Sequence, residues 1–125
     1  MAWRIVESYM LLVRIETMMA LRTFAALHAW VRTRHVRRVR RVAASRVEEL
    51  CIAMEWACSF YPKRVLCLQR SAATTMLLRR HGAAAEMVIG AQVLTFKSHA
   101  WVEVDRVIVN DKPYIKEIYQ ELERC

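Results

Sequence analysis

Apolar residues recur at helical spacing over the first quarter of the chain. Ile5, Tyr9, Leu12, Ile15 and Met19 form one row, and Met18, Leu21 and Ala25 a second beside it. The band is wide enough to predict a helix buried on more than one side, packed within the domain or against a partner. Further on, Ser45 stands before Arg46, Val47, Glu48 and Glu49, which predicts an N-cap with acids in the first turn. Leu50, Cys51, Met54, Ala57 and Cys58 then share one helical face until Tyr61-Pro62 stops the helix. Cys51 and Cys58 read as small core residues on that face.

The clearest helix begins at Cys67. Leu68, Ala72, Thr75, Met76 and Arg79 keep the three-four rhythm, Arg79 and Arg80 fall in the last turn where the helix dipole favours cations, and Gly82 is placed for a C′ stop. Past Gly82 the period changes to that of strands. Met87 to Ile89 with Val93-Leu94 predict one strand, Ala100 to Val104 a second and Val107 to Val109 a third. Pro113 suits a helix N1 position, and Tyr114, Ile118, Tyr119 and Leu122 predict a short last helix ending at an exposed Cys125.

Composition narrows the class. A chain of 125 residues with 56% hydrophobic residues, two Gly and two Pro forms one domain with a sizeable core. Met10 to Ala29 is the one stretch that imitates a membrane span, but Arg14, Glu16 and Arg22 interrupt it, so no span is expected. No basic n-region, unbroken apolar run and small-residue cleavage site opens the chain, which favours a cytoplasmic protein with its four cysteines reduced. No Cys/His spacing of a zinc site occurs, and no metal or other cofactor is expected.

The formal charge of +8 sits unevenly: residues 1–66 carry 12 basic and 5 acidic groups, residues 67–125 carry 8 and 7. Seven arginines fall between Arg32 and Arg46 with no acid among them, and Val36, Val39 and Val42 interleave at every third position. The run fits a solvated face, or a surface for an acidic partner with Arg37, Arg38, Arg40 and Arg41 at its centre. No aromatics are interleaved for stacking on bases, so nucleic acid is not expected as a partner.

The chemistry sits in the less basic half. A cysteine attacks a carbonyl as thiolate, and wants a helix N-terminus beside it and an imidazole to take its proton. Cys67 opens the strongest helix, His99 precedes a strand, and Asp111 ends the next apolar segment, where it can fix the tautomer of the imidazole. Glu103 is the rival for that last role, because it shares a strand face with His99 and Trp101. His28, His35 and His81 are accounted for by capping or exposure, and Trp101 by the core or a cleft wall.

Three ordered stretches, CLQRSAATTMLLRRHGAAAEMVIGAQ, HAWVEVD and VIVND, resemble the transglutaminase-like cysteine peptidases that remove leader peptides in bacterial lasso-peptide biosynthesis. The resemblance covers about half the chain, Cys67 to Asp111. It implies an α+β, papain/transglutaminase-like fold in which a cysteine-bearing helix packs on a small antiparallel sheet. Residues 1–60 would then be a helical extension and residues 61–125 the catalytic part. It also implies Cys67 as nucleophile, His99 as general base and Asp111 as its orienter. The implied partners are a ribosomally made precursor peptide, a separate leader-binding protein and an ATP-dependent cyclase. The match departs at Asp105-Arg106, where those peptidases carry a glycine after the aspartate.

Without that glycine a tight two-residue turn is disfavoured. Such a turn would set Asp111 opposite Ala100, on the wrong face of the hairpin. One extra residue would instead set it opposite Trp101 and bring its carboxylate diagonally toward His99, so an irregularity between Asp105 and Asp111 is expected. Two other classes share these features. Another transglutaminase-like amidase or acyltransferase would use the same three residues, and a non-catalytic basic adaptor would leave Cys67 inert.

Overall fold

A computed structural model describes residues 2–21, 23–34, 42–92 and 97–125. Arg37, Arg38, Arg40 and Arg41, together with His35, Val36, Val39, Val93 and Leu94, lie outside the described residues. The chain is a member of the α+β class: helices α1 (Ala2–Leu21), α2 (Phe24–Thr33), α3 (Ala44–Phe60), α4 (Cys67–Arg80) and α5 (Ile115–Ile118) accompany strands β1 (Ala85–Gln92), β2 (Lys97–Val104), β3 (Val107–Ile108) and β4 (Gln120–Arg124). The strands form one antiparallel sheet in the order β3-β2-β1-β4. Among the described residues no helix is long and apolar enough to cross a membrane.

The first helix is buried on one side only, not on several. Leu11, Leu12 and Ile15 enter the core, while Trp3, Val6 and Met10 of the same helix face outward. Its polar Glu7 is nevertheless buried, and ties α1 to the far end of α4 through His81 (3.1 Å) and Arg80 (3.1 Å). Helix α3 starts earlier than the Ser45 cap predicts. Ala43 is the N-cap, with its carbonyl accepting the N–H groups of Arg46 (2.9 Å) and Val47 (3.1 Å), so Ser45 already lies inside the helix and makes no cap bond. Cys51 and Cys58 are half-buried against the core, and burial, followed by the nearby Glu55 charge, pushes each thiol up to about 11.

Helix α4 is the central element, almost entirely buried between α1, α3 and the sheet. It ends in a Schellman arrangement: Gly82 N–H donates to Arg79 O, Ala83 N–H to Leu78 O, and Gly82 takes a positive φ of 93° that a side chain would strain. Arg79, expected only to answer the helix dipole, is buried and donates to the carbonyls of Ala85, Val31 and Arg34, which joins the ends of α4 and α2 to β1.

The predicted last helix is shortened to one turn, α5, and Leu122 to Cys125 are not helical. Gln120–Arg124 instead form β4 on the free edge of β1, and the ladder runs on through Cys125, whose N–H and C=O exchange bonds with Met87. Cys125 is therefore half-buried rather than exposed. The physical reason is that β1 offers an unpaired row of backbone groups, and satisfying it outweighs a weak local helical rhythm. Pairing shifts by one residue between Ile89 and Gly90, so Leu122 is the bulged, outward residue.

Candidate functional site

Side chains alternate along β2, and its two faces have different companions. Val102 and Val104 join Met87 and Ala85 in the large core under α4, and Ala100 is buried. His99, Trp101 and Glu103 point the other way, where Trp101 packs with Val88, Ile115, Ile108 and Tyr119. Gly90 pairs with His99 across the ladder, and a Cβ there would come within 2.8 Å of the Trp101 ring, so the indole lies directly over the glycine backbone.

His99 and Asp111 are brought together. His99 Nε2 lies 2.5 Å from Asp111 Oδ2, and the other oxygen, Oδ1, accepts the Lys112 N–H at 2.8 Å. An ionised carboxylate only accepts, so Nε2 donates, and in the neutral ring Nδ1 then keeps its lone pair. The ring is stacked on Tyr119 (5.2 Å between centroids, 26° between planes) and lies 6.2 Å from Trp101, which limits its rotation.

The route by which Asp111 reaches the ring differs from the expected one. Asp105 (φ 52°) and Arg106 (φ 66°) both take positive φ, a tight I′ geometry with Val104 paired to Val107. The regular two-residue turn thus forms without the glycine, helped by Lys116 Nζ, which donates to the Arg106 carbonyl at 3.0 Å. The irregularity comes later. The backbone ladder holds through Val109, whose N–H donates to Val102 O, and then the Asn110 side chain, not a backbone carbonyl, accepts the Val102 N–H at 2.7 Å.

Glu103 stays on the His99 face but is engaged elsewhere. Fully buried, it accepts from Trp101 Nε1 (2.9 Å) and Arg124 (3.1 Å), with Lys116 Nζ at 3.4 Å. Burial acts to raise its pKa, but the bonds from Trp101 and Arg124 and the charges of Arg124 and Lys116 outweigh it and hold the carboxyl below its ordinary value.

Cys67 is the first residue of α4 and is half-buried. The N-cap position is Leu66, which provides no side-chain cap bond, so the N–H groups of the first turn keep their capacity for a developing oxyanion. Ser71, one turn further on, donates to the Ala100 carbonyl at 2.9 Å. Helix α4 and β2 advance in the same direction from Ser71–Ala100 to Arg79–Ala85, so Cys67, one turn before Ser71, opens α4 at the end where β2 begins. Among the described residues no hydrogen bond joins the Cys67 thiol to the His99 ring, which lies on the Trp101 face of β2. No group of three or more His, Cys, Asp or Glu suited to a metal ion occurs among the described residues.

Ser71, Asn110 and Tyr119 were not singled out from sequence. Ser71 was within reach of the helical rule, since it sits four residues from Cys67 on the same face. Asn110 was visible only as the residue before Asp111, and Tyr119 was hidden by its assignment to a helix.

Neither a curated protein nor a solved structure matches this chain. A family model described as "Transglutaminase-like superfamily" matches residues 10–124, from within α1 to the end of β4. That match spans most of the chain, and the chain therefore belongs to the transglutaminase-like superfamily.

Proposed function

We propose that the protein is a thiol peptidase that removes the leader from a ribosomally made lasso-peptide precursor. The single observation that carries the chemistry is the His99–Asp111 bond, in a chain whose buried helix α4 opens on Cys67. The superfamily's chemistry is generally of the cysteine protease or acyltransferase type, and the leader-removing role rests on the resemblance of the three sequence stretches.

In this reading Asp111 holds the His99 tautomer that leaves Nδ1 open, and Nδ1 takes the Cys67 proton. The thiolate adds to the amide carbonyl at the leader–core junction, and the oxyanion is stabilised by N–H groups of the first turn of α4. The tetrahedral adduct collapses with cleavage of C–N, and the His99 imidazolium gives its proton to the leaving amine. Water, deprotonated by His99, then hydrolyses the thioester and frees the cysteine. These steps need no cofactor. Leader recognition is delegated to a separate binding protein in the cytoplasm, with Arg37, Arg38, Arg40 and Arg41 as its docking surface. An ATP-dependent cyclase takes the released core, and residues 1–60 brace the catalytic residues 61–125.

The test is cleavage of a precursor peptide in the presence of its leader-binding protein, followed by mass spectrometry. Cys67→Ala and His99→Ala are each expected to lower the rate by roughly 1,000-fold or more, since nucleophile and base act as one unit. Cleavage at the wild-type rate by Cys67→Ala would sink the peptidase reading.

A further inference from the structure

In a regular continuation of the β2–β3 hairpin, the outer edge of β2 would bond to β3 at alternate residues: Val104, Val102 and then Ala100. The Val102 N–H would go to the Val109 carbonyl, and Ala100 would exchange both its bonds with Asp111. Two of those backbone partners have been replaced by side chains. Asn110 Oδ1 accepts the Val102 N–H at 2.7 Å, and Ser71 Oγ donates to the Ala100 carbonyl at 2.9 Å. The two substitutes are also bonded to each other, with Asn110 Nδ2 donating to Ser71 Oγ at 3.2 Å. Ser71 is fully buried and uses its hydroxyl once as donor and once as acceptor, so the network closes with no polar atom left over on that residue.

The consequence bears on Asp111. Had β3 continued, its backbone would have fixed Asp111 opposite Ala100, where side-chain alternation turns it away from His99. Releasing the backbone after Val109 would ordinarily strand the Val102 and Ala100 N–H groups and the Ala100 carbonyl on β2, a cost a buried strand edge tolerates poorly. Asn110 and Ser71 satisfy two of those three groups, the Val102 N–H and the Ala100 carbonyl. We infer that Ser71 and Asn110 are positioning residues, a buried pair that takes over two ladder bonds of β2 so that Asp111 can leave the sheet and bond His99. Because Ser71 lies one turn from Cys67, the same pair fixes the distance between α4 and the His99 strand. Its catalytic importance, but not the placement of Asp111, rests on the peptidase reading.

The experiment uses full-length protein labelled with 15N-histidine. The proton on His99 Nε2, bonded to a carboxylate, resonates far downfield and is assigned by its loss in His99→Ala. Ser71→Ala and Asn110→Ala are each expected to abolish that resonance while circular dichroism reports a folded chain. Should Asn110→Ala fail to fold, Ser71→Ala, which removes a single hydroxyl, carries the test. Persistence of the resonance in Ser71→Ala, or its absence from the wild type, would overturn the inference.

A second readout separates positioning from general loosening. Alkylation of Cys67 by iodoacetamide should slow by on the order of 100-fold in Asn110→Ala, the scale of a reacting group misplaced by about 1 Å. In an Asp111→Ala background the same change should have no further effect, because the group that Asn110 positions is already gone. Equal slowing in both backgrounds would overturn the inference. Loss of the resonance in the variants of a protein that cleaves no precursor would uphold the placement of Asp111 and dismiss only the peptidase reading.

Discussion

Glu103 and Asp111 are two carboxylates beside one row of rings, and the fold treats them in opposite ways. Glu103 is sealed: its oxygens are occupied by the Trp101 indole, the Arg124 guanidinium and the Lys116 ammonium, and Arg124 is shared with Glu86 and Glu121. That network ties β4 and α5 to the middle of the sheet. Asp111 stays half-buried and gives one oxygen to its neighbour's N–H and the other to His99, and among the described residues its one ion-pair partner is His99, with Lys112 feeling its charge from further off. The difference separates an acid held by fixed cations from one left to an imidazole. A carboxylate already neutralised by bonded, fixed cations gains little from a protonated imidazole, whereas one bonded to no fixed cation gains a charge-assisted bond when its imidazole partner is protonated.

The comparison breaks most sharply by truncation. Glu103→Ala leaves Arg124 and the Trp101 N–H without their buried acceptor and should cost about 3–5 kcal/mol, the usual penalty for removing one member of a buried ion pair. Asp111→Asn keeps an acceptor at a half-buried position and should change stability by no more than about 1 kcal/mol, while cleavage falls by roughly 1,000-fold. Chemical denaturation and precursor cleavage, run on both variants, measure the contrast. Equal losses of stability would erase it.

Acid offers a smaller and continuous version of the same test. The folded Glu103 carboxyl lies below its ordinary value of 4.5, so in that range the folded chain binds fewer protons at this site than the unfolded chain does. The stability that Glu103 confers is therefore fully present above 4.5 and is lost as pH falls from there through the folded value. Melting temperature should drop more steeply below that pH in the wild type than in Glu103→Gln. Parallel curves would show that other carboxylates govern the acid limb.

What could be read from sequence followed the range of the interactions involved. The helix from Cys67 to Arg80 and its stop at Gly82 were legible because rhythm, dipole and glycine all act within one element. The face shared by His99, Trp101 and Glu103 was legible from alternation alone. The closing strand was not, because its partner β1 lies some thirty residues away and the signal resides in β1's empty edge, not in Gln120–Arg124. The Ser71–Asn110 pair was hidden for the same reason, since 39 residues separate two side chains that each replace a backbone group. Ser45 misled because a good capping residue is only a local preference, and the chain closes its first turn on Ala43.

The smallest expected effect concerns the turn that the sequence argued against. Asp105 and Arg106 hold positive φ with ordinary side chains, which Asp tolerates and Arg does not. Arg106 contributes to the turn through its carbonyl, which accepts Lys116 Nζ, and a glycine would offer the same carbonyl. Arg106→Gly should thus relieve left-handed strain without removing a contact. The larger backbone entropy of glycine in the unfolded chain offsets part of the gain, leaving about 0.5–1 kcal/mol of added stability. Cleavage should not change, because Asp111 is freed from the ladder after Val109 and not at the turn. A variant that melts higher with unaltered activity would separate the hairpin's turn from its working end, whereas a loss of activity would mean that the turn itself sets the position of Asp111.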